Sequence, residues 1–547
     1  MLNEFLEMKQ KKTRFALLAL SAVLTGLTLV FPVLGFLEWV TLIPACLFLF
    51  RFASDETVRL RRLYGYGCFF FYFYSLTVFH WFLNLYPLEF IDGMTKGGAL
   101  AVVLVAWLGL SLLQTLFGGL VFVLCGLLFR TRLARRFSLL RPVLLGLLWA
   151  VYEWTQTLGW WGVPWGRLPL GQAKYLVGLQ TASLLGPYLI TFLLVAVNAF
   201  AALAILAFAR KERPILKLSC FLIAGIFLLQ YGAGTLLWFC RGEGTERVTV
   251  AVVQGNISSQ EKWSFASTVR TEEVYEKYTR EAAAAGAEVI IWPETAFPFT
   301  VTKRNSLGRF MSRLARETDA TLLVGAFYPS ENGDYNAVLC FLPDGTVSET
   351  VYAKRRLVPF GEFVPFQPLV EAVIPPLAEL VLSAGVIEAG TGANVFALEE
   401  GKIGSLVCFD SIYEDLTRES VLGGAELLAL STNDSWFTDS AALSMHNAQA
   451  QLRAIESGRY VARSANTGIS TVISDRGEVL ASLDSLVDGM LVEEIEMRSE
   501  ITLYTRIGNL FVYLGLLLLC LILGEESIWR LRNKKKLLTK APNGDKI

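Results

Sequence analysis

The run Glu-Val-Ile-Ile-Trp-Pro-Glu-Thr at positions 288–295 decides how the polar part of this chain is read. Val289 to Trp292 are β-branched or aromatic residues, which favour a pleated strand, and Pro293 ends it because proline has no N–H for a strand ladder. Glu294 therefore stands just past the carboxyl end of a strand. Upstream, Val248 to Val253 reads as another strand and Thr268 to Ala285 as a polar helix. Downstream, the amphipathic helix Leu307 to Thr318 precedes a strand at Thr321 to Phe327. Further strands are expected at Asn336 to Phe341, Lys402 to Phe409, Glu426 to Ser431 and Ile469 to Ser474, with a helix from Leu443 to Tyr460 between the last two. Strands alternating with helices specify an α/β domain.

Outward from this domain the chain changes solvent. Of its 547 residues, 54% are hydrophobic and only 18% charged, and the mean hydropathy is +0.47. That is too apolar for one water-soluble unit, so lipid must surround part of it. At about 20 apolar residues per crossing, the N-terminal part divides into candidate spans near Phe15 to Val30, Leu34 to Phe50, Tyr64 to Leu85, Gly98 to Phe129, Leu139 to Leu158, Leu185 to Phe208 and Leu218 to Phe239. Basic residues cluster before the first span and after the second, fourth and sixth, as at Arg59, Arg61 and Arg62 or Arg130, Arg132, Arg135 and Arg136. Lys and Arg favour the cytoplasmic side, so every second loop lies inside and the α/β domain lies outside. A last apolar run, Leu510 to Leu523, is followed by Arg530, Arg532 and Lys534 to Lys536, which returns the C-terminus to the cytoplasm. The expected organisation is a bundle of about seven helices over 1–242, an α/β domain over 243–503, and a C-terminal helix with a basic tail over 504–547. A cleaved signal peptide also begins with basic then apolar residues, but the spans that follow closely favour a retained first helix.

The formal net charge is zero, which gives no reason to expect nucleic acid as a partner. Cys46, Cys68, Cys125, Cys220, Cys240 and Cys520 lie in or beside apolar runs and read as small buried hydrophobes. Without a CxxC motif or a Cys/His cluster in the sequence, neither a metal nor another cofactor is expected.

Three polar residues stand at expected strand ends, where open α/β sheets place their sites. They are Glu294, Lys354 in Tyr-Ala-Lys-Arg-Arg-Leu-Val-Pro-Phe-Gly-Glu (352–362), and Cys408 in Gly-Ser-Leu-Val-Cys-Phe-Asp (404–410). A cysteine nucleophile needs a base for its proton and a cation or donor for the oxyanion formed at a carbonyl. Glutamate, lysine and cysteine can fill those roles. Each also has a plainer reading: Glu294 as a helix N-cap, Lys354 as a solvated strand-end charge, Cys408 as a buried strand residue. His446, the only histidine of the domain, reads more readily as a loop or helix-cap residue than as a catalytic one, and Cys340 reads as strand core. Glu153, near the outer end of its span, fits either a functional intramembrane carboxylate or a structural partner of Arg167.

The ordered set Trp-Pro-Glu, Lys-x-x-Leu-Val-Pro-Phe-Gly-Glu and Cys-Phe-Asp resembles the Glu-Lys-Cys triad of the nitrilase, or carbon-nitrogen hydrolase, superfamily. With about seven spans before the domain and one after, the chain resembles its membrane-embedded branch, the apolipoprotein N-acyltransferases. Val-Gln-Gly-Asn-Ile (253–257), Glu153-Trp154, Pro164-Trp165, Asn-Asp-Ser-Trp-Phe (433–437) and Arg-Ser-Ala-Asn-Thr-Gly (463–468) match that branch too. The resemblance implies an αββα sandwich with Glu294 as general base, Lys354 as oxyanion stabiliser and Cys408 as nucleophile. It adds Glu362 and Asp410 as supporting carboxylates, and Trp263, Phe409 and Trp436 near the lipid. The branch commonly has tyrosine and glutamate where this chain has Phe409 and Asp410.

The implied enzyme sits in the bacterial inner membrane, both termini cytoplasmic, as a monomer. It moves an acyl chain from a phospholipid, through a cysteine thioester, to the α-amino group of a diacylglyceryl-cysteine lipoprotein. Drawing acyl chains into water is prohibitive at about 0.8 kcal/mol per CH₂, so the site must meet the bilayer. The apolar, proline-punctuated stretch from Phe363 to Val386 is read as an arm that dips into the interface, or as an insertion packed on the bundle. A membrane-tethered amidase, with water resolving the thioester, is the nearest alternative. A transporter or receptor is disfavoured by the scarcity of intramembrane charge.

Overall fold

The computed structural model describes residues 10–88, 94–242, 244, 246–258, 262, 265–373 and 385–539. Each expected span has a helix. They run Lys11–Val30, Ile43–Phe52 (entered through the 3₁₀ turn Pro32–Leu37), Leu60–Val78, Lys96–Phe129, Leu140–Thr155, Pro187–Ala209, Arg213–Phe239 and Leu510–Thr539. Six helical segments among the described residues are long and apolar enough to cross a membrane. Leu60–Val78, at 19 residues, and Leu140–Thr155, at 16 residues, are not among them. Both end earlier than the apolar runs suggest. At about 1.5 Å per residue the shorter spans roughly 24 Å, less than a hydrocarbon core. Past its end the chain folds into the buried turns Pro164–Gly166 and Leu168–Gln172, and irregular backbone at membrane depth is tolerated where protein surrounds it.

The buried carboxylates Glu38 and Glu153 of the bundle are hydrogen-bonded. Glu153 accepts from the Leu168 backbone N–H at 3.0 Å and from the Thr191 hydroxyl. Of the two readings of Glu153, pairing with Arg167 is not found as a hydrogen bond, because that guanidinium turns into the α/β domain and meets Glu414 at 2.8 Å. The cysteines also divide. Cys46 and Cys125 are buried as expected, whereas Cys68 is half-buried and Cys220, Cys240 and Cys520 are exposed. The last three sit on or beside Arg213–Phe239 and Leu510–Thr539, helices on the outside of the bundle with little buried surface.

The domain is built from β1 (Glu246–Gln254), β2 (Val289–Ile291), β3 (Phe297–Thr300), β4 (Thr321–Pro329), β5 (Asp334–Phe341), β6 (Val347–Ala353), β7 (Ile387–Glu388), β8 (Val395–Leu398), β9 (Gly401–Val407), β10 (Leu427–Thr432), β11 (Tyr460–Ala465), β12 (Thr471–Ile473), β13 (Val479–Ser482) and β14 (Gly489–Met497). They form an eight-stranded sheet, β14-β1-β2-β4-β5-β6 with β3 on β4 and β7 on β5, and a six-stranded sheet, β13-β12-β11-β10-β9-β8. Strand alternation sends Val248, Val250 and Val252 to one face of β1 and Ala251 and Val253 to the other. The first set packs with Ile291 and Leu323 against Val407, Leu427 and Ala462 of the second sheet, which makes the central layer. The second set packs against Tyr275, Leu314 and other residues of helices Phe265–Ala284 and Ser306–Thr318. The outer face of the six-stranded sheet, with Leu406, Leu428, Leu430 and Val461, meets helices Glu414–Leu422 and Ala441–Ser457. That layer continues without a break into the core of the membrane bundle. The result is an αββα sandwich with one helical layer shared with the bundle.

Candidate active site

Glu294, Lys354 and Cys408 follow β2, β6 and β9, so strands of both sheets converge on one point. Gly325 on β4 lets the turn after β2 pass, since a Cβ there would lie 2.2 Å from the Pro293 carbonyl and 2.7 Å from Glu294 Cα. At that point the Lys354 ammonium bonds Glu294 Oε1 at 2.9 Å and both Glu362 oxygens at 2.9 to 3.0 Å. Asn336 Nδ2 donates to Glu294 at 2.7 Å and to Glu362 at 2.9 Å. The backbone N–H groups of Asn433 and Val358 complete the two carboxylates, at 2.8 Å on Glu294 and 2.9 Å on Glu362. Burial works against the lysine charge, but Glu294 and Glu362 outweigh it and hold the ammonium's pKa well above its ordinary value. A buried lysine with two carboxylates stays a cation.

Cys408 departs from the expected strand. β9 ends at Val407, and the cysteine opens a 3₁₀ turn, Cys408–Ile412, with a left-handed φ of 47°. Thr295, next to Glu294, has φ 43°. Non-glycine residues held there cost on the order of 1–3 kcal/mol each and persist where surrounding structure fixes them. The effect is to turn the cysteine out of the sheet. The residue keeps part of its surface open. Burial, then the charge of Glu294, pushes the thiol pKa up, with Lys354 opposing. The resting sulfur is therefore a thiol that needs a base.

Asp410 and Glu362 do different work. Asp410 accepts from the N–H groups of Arg356 at 2.8 Å, Arg355 at 3.2 Å and Val407 at 3.2 Å, and from Tyr352 Oη at 2.9 Å. It thereby ties the segment after Lys354 to the turn of Cys408. Burial pushes its carboxyl pKa up to about 6, against the pull of these donors. Phe409 packs edge-on to Tyr413, with ring centroids 5.5 Å apart. Trp436, in the turn Ser435–Phe437, is 39% exposed. Trp263 lies outside the described residues, as do 374–384 of the apolar stretch. The described part of that stretch carries a short helix, Gln367–Val373, and Phe366, whose ring meets Trp160 of the bundle at 5.4 Å.

Sequence reasoning missed four neighbours. Asn336 opens no visible motif, and Lys262 has no pattern beyond lying beside Trp263. Lys262 Nζ donates to Thr295 Oγ1 at 3.1 Å, and burial brings its pKa down to about 8. Asp434 and His446 are the others. Asp434 stood within a matched motif, and His446 sits inside helix Ala441–Ser457 rather than in a loop or cap. The fold brings a sulfur, a carboxylate and an imidazole together that the sequence keeps apart, since donor atoms of Cys408, Asp434 and His446 lie within 4.8 Å of one another. Arg463 occupies the same place, paired with Asp434 and 3.3 Å from His446 Nδ1. A guanidinium there suits a hydrogen-bonded relay rather than a cation site.

Over this site lies aromatic surface from the bundle. Trp165 packs tilted against His446, with ring centroids 5.3 Å apart, and Trp81 and Trp165 meet Phe437 at 4.9 and 5.8 Å.

Both parts of the chain are similar to known proteins. Residues 249–503 match the carbon-nitrogen hydrolase family, and residues 21–200 match the apolipoprotein N-acyltransferase N-terminal domain. An apolipoprotein N-acyltransferase of Gloeobacter violaceus is 31% identical over 502 residues, covering 91% of this chain and 91% of that protein. One of Geobacter metallireducens is 32% identical over 377 residues, covering 67% and 70%. Among solved structures, Saccharomyces cerevisiae Nit3, of the nitrilase superfamily, aligns with 49% of this chain and 97% of its own at 17% identity and a TM-score of 0.37. With similarity running from the bundle through the sandwich, the chain belongs to the apolipoprotein N-acyltransferase family.

Proposed function

We propose that this chain N-acylates lipoproteins, taking a fatty acyl group from a phospholipid and passing it to the α-amino group of a diacylglyceryl-cysteine. Glu294 removes the Cys408 proton, and the thiolate attacks the acyl ester carbonyl. Lys354 holds the oxyanion, the C–O bond breaks, and the lysophospholipid alkoxide takes the proton from Glu294. A thioester remains on Cys408. The acceptor amine then attacks, Glu294 takes its proton, the C–S bond breaks, and the released thiolate is reprotonated. Glu362 and Asn336 keep Lys354 and Glu294 in register, and Asp410 holds the cysteine turn to the lysine segment. Phe409, Trp436 and Trp263 are assigned to the lipid side of the site.

The observation that carries this reading is the Lys354 ammonium bonded to both Glu294 and Glu362 at a site where bundle aromatics pack on neighbouring residues, Trp165 on His446 and Trp81 on Phe437. Aromatic surface supplied by a membrane bundle suits a fatty ester better than a small amide. On this reading the protein is a monomer of the bacterial inner membrane, with both termini cytoplasmic and the sandwich outside.

Labelled phospholipid should leave hydroxylamine-sensitive label on the wild type and none on Cys408→Ala, and a diacylated lipopeptide should discharge it as an amide. Label retained by Cys408→Ala would end the proposal. Release of free fatty acid with no acylated peptide would favour the hydrolase alternative.

A further inference from the structure

His446 takes no part in the cycle above, yet it is 1% exposed within hydrogen-bonding reach of the nucleophile's own backbone. Its Nδ1 lies 3.0 Å from Asp434 Oδ1, and Arg463 pairs with the other oxygen of Asp434. Its Nε2 lies 3.0 Å from Ser411 Oγ and 3.3 Å from the Cys408 carbonyl oxygen, and Ser411 Oγ itself donates to that carbonyl at 2.7 Å. Trp165 from the bundle packs tilted against the ring, centroids 5.3 Å apart. The groups facing this imidazole are Asp434 from the end of β10, Arg463 from β11, and Cys408 and Ser411 from the nucleophile turn.

Packing alone does not account for the arrangement. A buried carboxylate and guanidinium each cost several kcal/mol in lost hydration, which an apolar filling would avoid. Burial opposes charge on Asp434, but Arg463 and His446 outweigh it and hold the carboxyl well below the usual carboxylate range. A carboxylate only accepts, so Nδ1 must donate to it. Gly468 permits this close placement, since a Cβ there would fall 2.5 Å from Asp434 Oδ2. The ring is thus locked in rotation, and its Nε2 edge meets the turn that carries the sulfur.

We propose that His446 is a positioning residue for Cys408: anchored by Asp434 and Arg463, it sets through Nε2 the place of Ser411, the hydroxyl that bonds the Cys408 carbonyl, and so keeps the cysteine turned toward Glu294 and Lys354. The inference rests on Cys408 being the nucleophile. The Cys408→Ala labelling result tests that premise separately.

The test uses the full chain in detergent or nanodiscs, with three readouts: the rate of Cys408 acylation by labelled phospholipid, the pH profile of Cys408 alkylation by iodoacetamide, and the thermal midpoint. His446→Asn keeps an amide against Asp434 but ends short of Ser411. It should slow acylation roughly 10- to 100-fold, the scale of a misplaced reacting group, and shift the alkylation profile. His446→Gln, whose amide reaches the Nε2 position, should recover most of that loss at a similar thermal midpoint. Ser411→Ala removes the same contact from the other side with little change in volume, and should slow acylation with the profile displaced as in His446→Asn. Wild-type acylation in Ser411→Ala would overturn the proposal. So would equal defects in the Asn and Gln variants that follow the thermal midpoint, or an active Asn variant beside an inactive Gln one.

Discussion

Lys354 cannot be neutralised without leaving Glu294 and Glu362 facing each other across the gap it fills. If Lys354 holds the oxyanion as proposed, Lys354→Met should lower turnover about 100- to 1,000-fold, the effect of losing one oxyanion donor. Because like charges so close cannot both ionise readily, it should also drive one carboxyl to take up a proton. Single-turnover acylation measured against pH reads both effects. Asp410 gives a stability signature of known sign. Its carboxyl titrates at about 6 in the fold, against about 3.9 in an unfolded chain. Between those values the folded protein holds a proton that the unfolded chain has released. This group's contribution is therefore fully present below the unfolded value and is lost as pH rises through about 6. A shift of this size corresponds to on the order of 3 kcal/mol. Relative to Asp410→Asn, the wild type's thermal midpoint should fall as pH is raised from about 4 to about 7. An unchanged difference across that range would refute the assignment.

Between elements, one tie is the loop after Leu140–Thr155, which reaches out of the bundle to helix Glu414–Leu422, behind Cys408. Arg167 Nη1 meets Glu414 at 2.8 Å, and its Nη2 donates to the Ile412 carbonyl, at the end of the cysteine's turn, at 2.9 Å. Arg453 lies 3.7 Å from the same carboxylate. Arg167→Leu strands a buried carboxylate and should cost about 3–5 kcal/mol, seen as a lowered thermal midpoint that Glu414→Gln in the same chain partly restores. The partners are 247 residues apart, so no local pattern could announce them. Elements with a strong local signature were legible: the β-branched cores of β1, β2 and β4, the amphipathic helix Ser306–Thr318, and the long apolar helices. The strands β3, β7, β8, β11, β13 and β14 were not; the short or partly exposed ones among them have few residues and one open face, which carries too little periodicity. The site was legible in part for the same reason. Glu294, Lys354 and Cys408 stand at strand ends within ordered motifs, whereas His446 is one residue on an otherwise ordinary helix, and only the packing of that helix brings it to the sulfur.

For the molecule as a whole, orientation is open to a direct measurement. Cys240 is exposed where helix Arg213–Phe239 gives way to the sandwich. If the sandwich lies outside, a membrane-impermeant maleimide should label Cys240 in intact spheroplasts, with the label lost in Cys240→Ser and kept in Cys408→Ala. Labelling only after lysis would reverse the topology.

The unbroken layer between sandwich and bundle settles what a shortened version of this protein could be. Cut free near residue 242, the sandwich would keep both sheets and the lysine with its two carboxylates. It would lose the ceiling that Trp81 and Trp165 supply, and the oily underside of Glu414–Leu422 and Ala441–Ser457 would face water. Such a fragment would clump before it could turn over. What looks like a soluble machine on a tether is one body whose upper wall happens to be soaked in lipid.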